Sequence, residues 1–259
     1  MSRTFRGFEF RKANYRAAVP DFDQARKSIL NLRASLENFL VRQPEFARSL
    51  SPLPLLPETA PESARRMHAA SQLTGVGPMA AVAGTFAQMA VEMCRREFES
   101  SVSPGPGFSP DRMEEYIFEN GGDIYAVLNA PCIVGLWVPD SSPFHGLALR
   151  ISPEASPLAI CSSSSVLGHS YSMGSCDLVT VFSADASLAD ACATAVCNRI
   201  VSQEVLQESV EAAINIPGIN GILALKGDKM AVAGKIPELI RHGDPELRAK
   251  VTRHDLSFF

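Results

Sequence analysis

Asp190 and Thr194 stand four residues apart in SADASLADACATAV (183–196), a stretch otherwise made almost wholly of small residues. Positions i and i+4 of a helix lie one above the other on a single face. A carboxylate and a hydroxyl stacked in this way offer two oxygen ligands to a hard divalent cation such as Mg2+. The same residues also read as helix punctuation. Ser187-x-x-Asp190 fits a capping box, in which Asp190 reaches back to an exposed N–H. Thr194 would then bond the carbonyl four residues earlier. Geometry separates the two readings. A capping box puts the Asp190 carboxylate within about 3.2 Å of the Ser187 nitrogen. A metal site turns Asp190 and Thr194 towards a solvent-reachable cavity beside Gly121-Gly122-Asp123.

Three further stretches have chemistry-bearing residues. In TGVGPMAA, Gly75 and Gly77 precede a helix whose first position is Pro78. The free N–H groups at such a helix start favour an anion, phosphate above all; the alternative is glycines that serve only a tight turn. In ENGGDIYAV, Gly121, Gly122 and Asp123 mark either a close backbone approach to a ligand or a plain hairpin turn. In ICSSSSVLGHSYSMGS, small hydroxyl residues including Ser163 surround His169. They line a polar pocket or lie on the surface, and with no G-x-S-x-G elbow no hydrolase triad is expected.

The elements that must position these residues follow from periodicity. TFRGFEF and KANYRAAV read as a β-hairpin, and a long amphipathic helix starts at an Asp21 cap and ends before Pro44. Residues 51–61 hold four prolines and form an irregular connection. ESARRMHAASQL is a second helix. The next, after Gly77, is apolar on nearly all sides and belongs in a core. From Met113 onward come short strands: EEYIFE, DIYAVL, CIVGLWV, HGLALRI, PLAICS and DLVTVF. The 183–196 helix, SQEVLQESVEAAIN and a hairpin turning at Gly227-Asp228 complete the pattern. Helices grouped around neighbouring strands predict an α+β fold with antiparallel sheet.

The 259 residues suffice for a single domain, or for two lobes sharing one core. A net charge of −4 gives no electrostatic reason to expect nucleic acid or an anionic membrane as partner. No signal peptide is visible, the first cysteine is Cys94, and no run approaches the roughly 20 apolar residues that span a bilayer. A cytoplasmic protein is expected. Six scattered cysteines without CxxC or zinc spacing predict buried reduced thiols.

In their order, these stretches resemble the ApbE superfamily, the FAD-dependent flavin transferases. The resemblance rests on Gly75 to Ala80, Asn120 to Asp123, Ala159 to Ser165, His169 and Ala189 to Ala195. It is nearest to an uncharacterised cytoplasmic branch of UPF type. It implies an ApbE-like fold over 1–259, with Asp190 and Thr194 as Mg2+ ligands and FAD or another nucleotide as cofactor. Gly75, Gly77, Gly121, Gly122, Asp123, Ser163 and His169 become the cofactor-binding candidates, and the partner is a small phosphorylated ligand. Two departures stand out. Ala81 replaces the lysine of the transferases' G-G-x-A-K-G pattern, and Ser172 and Met173 replace the aspartate and proline of H-x-x-D-P-x-T-G. The leading expectation is therefore a ligand-binding or altered protein that has lost flavin transfer. The alternatives are an active Mg2+-dependent FMN transferase or FAD pyrophosphatase, a sulfur-assimilation protein of anaerobes, and a non-catalytic protein that binds a protein partner or a second copy of itself.

Overall fold

The computed structural model describes residues 3–11, 13–101, 114–165 and 174–242. The expected hairpin is there as β1 (Arg6–Phe10) and β2 (Ala13–Ala18). Helix α1 (Phe22–Arg42) starts where Asp21 accepts the Gln24 amide at 2.9 Å. A short α2 (Pro44–Arg48) was not foreseen; proline ends one helix but equally suits the first turn of the next. After the proline-rich connection come α3 (Glu62–Thr74), a 3-10 turn (Pro78–Ala81) and α4 (Val82–Ser101).

Six strands follow: β3 (Tyr116–Asn120), β4 (Asp123–Val127), β5 (Cys132–Gly135), β6 (Leu147–Ile151), β7 (Leu158–Ser163) and β8 (Leu178–Ser183). Then come α5 (Ala186–Arg199), α6 (Leu206–Ala213), β9 (Ile219–Lys226), β10 (Lys229–Gly234) and β11 (Glu238–Arg241).

Eight strands form one sheet in the order β1-β2-β3-β4-β7-β8-β9-β10, and three form another, β11-β6-β5. Every pairing is antiparallel, so the fold is α+β as the pattern predicts. The second sheet and β11 are the departures. Because β4 pairs directly with β7, the β5–β6 hairpin leaves the large sheet and packs across its back.

Period-two alternation divides the core accordingly. On β7, β8 and β9, Leu158, Ile160, Leu178, Phe182, Leu223 and Leu225 face the small sheet's Leu149 and Ile151. Their neighbours Ala159, Cys161, Val179, Val181, Ile222 and Ala224 face the helices. The nearly all-apolar α4 lies against α1, α3, α5, β3 and β4, which is why so little of it needs a polar face. Five of the six cysteines are buried and all are free thiols.

Candidate functional site

The start of α5 decides the capping question. Its N-cap is Asp185, whose Oδ1 accepts the Ser187 amide at 2.9 Å and the Leu188 amide at 3.2 Å. The Ser187 hydroxyl instead accepts from Thr85 Oγ1 at 2.8 Å. The capping box expected from Ser187-x-x-Asp190 is therefore corrected. A better cap stood two residues earlier, and it freed Asp190 for a contact across the fold.

That contact is with the first turn of α4. The Gly84 N–H donates to Asp190 Oδ2 at 2.8 Å, and the Ala83 amide supports the carboxylate as well. A carboxylate suits this place because the first N–H groups of a helix have no internal partners and carry its positive dipole. Glycine is required for the approach: a Cβ on Gly84 would lie 2.3 Å from the Ala186 carbonyl oxygen and 2.9 Å from Asp190 Cβ. Gly84 was missed in the sequence, where its one signal is a glycine set inside an otherwise good helix.

The NGGD stretch is the two-residue turn between β3 and β4. Gly121 and Gly122 have φ of 60° and 99°, as a primed hairpin turn requires. Asn120 and Asp123 are register partners at its mouth, so both side chains share the helix-facing side of the sheet. Asn120 Nδ2 donates to the Ala83 carbonyl at 3.1 Å. Asp123 Oδ1 accepts the Ser162 amide at 3.0 Å, and the Cys161 thiol also hydrogen-bonds this carboxylate.

Asp123 and Asp190 thus meet in a buried layer between the hairpin end and the two helices. Burial pushes both carboxyls above their usual range, and the charge on Asp190 pushes Asp123 further. Amide donors from Ser162, Gly84 and Ala83 oppose the rise without overcoming it. Thr194 is half-buried one turn further along α5, and half-buried Ser163 lies on the same face of β7 as Cys161.

The remaining candidates have other local roles or fall elsewhere. Gly75 ends α3 in the left-handed conformation at φ 78°, with its N–H on the Ser71 carbonyl. Gly77 is buried where a Cβ would lie 1.9 Å from the Ser49 carbonyl oxygen. His169 lies outside the described residues, as do Ser172 and Met173.

The residues fit the divalent ion that the motif implies. The donor set is oxygen-rich and negatively charged, which suits Mg2+. The two buried carboxylates are compensated by amide and thiol hydrogen bonds alone among the groups that shift them most. A cation here would offset a like-charge repulsion that the fold leaves in place.

The fold is ApbE-like: an antiparallel sheet has helices on one face and meets them at this hairpin–helix junction. Comparisons agree. Residues 14–214 match the family described as AbpE bacteria, and the chain belongs to that family. A UPF0280 protein of Methanocella arvoryzae is 40% identical over 88% of this chain and 86% of its own. The flavin transferase ApbE of Vibrio cholerae, a histidine-to-glycine mutant, shares the fold at a TM-score of 0.56 and 12% identity, over 90% of this chain and 97% of that one. The apo flavinyl transferase ApbE of Pseudomonas stutzeri does so at 0.52 and 11%, over 90% and 94%.

Proposed function

We propose that this is a cytoplasmic ligand-binding member of the ApbE-like family, that its ligand is phosphorylated or nucleotide-like, and that it does not transfer flavin. A flavin nucleotide is the first candidate, since the proteins that share its fold include flavin transferases. The carrying observation is the buried Asp123–Asp190 pair beside Thr194. Asp190 and Thr194 would hold Mg2+, which when bound neutralises charge on a ligand phosphate. The Gly84 amide fixes the orientation of the Asp190 carboxylate. Gly121 and Gly122, without side chains and half-buried, let a ligand come close to the hairpin backbone.

Transfer itself lacks its charged helpers. Ala81, where the transferases carry lysine, is fully buried in the 3-10 turn. Losing one charge-stabilising group at a reacting centre costs about 2.7–4 kcal/mol of transition-state stabilisation.

Calorimetric titration with FAD, FMN, AMP and inorganic phosphate, with and without Mg2+, tests binding. At least one of them is expected to bind, more tightly with Mg2+, and failure of all four overturns the binding reading. Incubation with FAD, Mg2+ and a threonine-containing acceptor peptide tests transfer. No covalent flavin is expected, and flavinylated peptide would establish the transferase alternative.

A further inference from the structure

We propose that the β3–β4 hairpin contributes two ligands of its own, Asn120 Oδ1 and Asp123, to the divalent-cation site of Asp190 and Thr194. The inference rests on the cation site proposed above and extends it from α5 to the sheet.

Asn120 carries the argument. It is 4% exposed, and its Nδ2 is taken by the Ala83 carbonyl. Its Oδ1 has no hydrogen-bond partner among the described residues. Buried polar atoms are rarely left so, and an orphan at a candidate site asks what satisfies it. The Nδ2 bond pins the amide against the Ala83–Gly84 peptide, whose N–H holds Asp190. Asp123, the register partner of Asn120, has its Cβ within about 4.5–5.5 Å on the same face.

Asn120 and Asp190 therefore meet on one peptide, and Asp123 stands beside Asn120 at the mouth of the hairpin. Among the described residues no three His, Cys, Asp or Glu side chains come together as a metal cluster. An ion bound here must then draw on amide and hydroxyl oxygens as well as carboxylates. Asn120 and Thr194 supply those two oxygen types, and such a set selects a hard cation over a soft one. The Gly84 and Ser162 amides each orient one carboxylate, the positioning that outer partners give metal ligands.

The experiment is titration of the full chain with MnCl2, following free Mn2+ by electron paramagnetic resonance, with MgCl2 as competitor. Wild type is expected to take one ion per chain, displaced by Mg2+. Asp123→Asn and Asn120→Ala should each weaken binding by about tenfold or more, the loss typical of a removed metal-site group. Should Asn120→Ala not fold, Asp123→Asn, nearly isosteric, decides. If Asp190→Asn abolishes binding while the hairpin variants bind as wild type does, this inference falls and the Asp190–Thr194 site stands. If wild type takes up no Mn2+, both fall.

Discussion

Two acidic sites lie along α4, and the chain treats them in opposite ways. Towards its C-terminal half, Glu92 meets Arg66 of α3 through two hydrogen bonds, 2.9 and 2.8 Å, and accepts from Gln88 at 2.9 Å. Burial pushes this carboxyl up, but the Arg66 hydrogen bonds and charge outweigh it, so Glu92 ends below its ordinary range. Gln88 passes the link on by accepting the Ala186 amide at 2.7 Å, which ties α5 to the same network. At the other end, Asp190 and Asp123 receive amides and a thiol, and both carboxyls end above their range. Where a buried carboxylate serves architecture, the chain provides the counter-charge itself. Where no cation stands among the groups that shift a carboxylate most, both carboxyls are held above their range instead.

The comparison is broken first at the glycine that permits the second site. Gly84→Val drives a branched side chain into the Ala186 carbonyl and Asp190. It should destabilise the protein by about 3 kcal/mol, as overpacking does, read as a lower urea midpoint with unchanged slope.

Arg66→Met tests the balanced site. It leaves Glu92 without its counter-charge and should cost about 1–2 kcal/mol near neutral pH, given that the pair is partly solvated. The pH dependence has a definite sign. Glu92 titrates lower in the folded than in the unfolded chain, so its contribution is full above the unfolded value. It is lost as pH falls through the depressed folded one. Acid titration of stability should show this loss in wild type and a flatter limb in Arg66→Met.

The smallest effect has the opposite direction. In metal-free buffer, once the pH is raised far enough to ionise both carboxyls, Asp123→Asn removes one of two like charges and should raise the melting temperature by about 2–4 °C. A fall instead would mean that the pair is already compensated, and the contrast between the two ends of α4 would disappear.

Much of the architecture was legible because it is local. The Asp21 cap, the β1–β2 hairpin, the Gly121-Gly122 turn and the alternating strands each declare themselves within a few residues. The illegible parts depend on distant partners. Nothing near Asp190 shows that Gly84, more than a hundred positions earlier, will present its amide. Nothing within β5 or β6 shows that β7 will displace them from the large sheet. The Ser187 capping box failed for a related reason: Asp185 caps the helix two residues earlier, while Ser187 and Asp190 turn to Thr85 and Gly84 across the fold.

One pairing has a consequence for the order in which the molecule is made. β2 enters the sheet only by joining β3, with Tyr15 opposite Asn120, and the Gly121 amide closes the junction on the Asn14 carbonyl at 3.2 Å. A ribosome adds about 5–20 residues per second, so the amino-terminal hairpin and α1 to α4 emerge seconds before the strand they need. In that interval their apolar faces have no sheet to cover them, and such long-range closure is slow even once the partner exists. Tyr15 and Asn120, the proposed ligand on the hairpin, close in the same zipper. Newly made chains should therefore pass through a stage that is helical yet lacks the hairpin–helix junction, visible in pulse-labelled hydrogen exchange as late protection of β2 and β3.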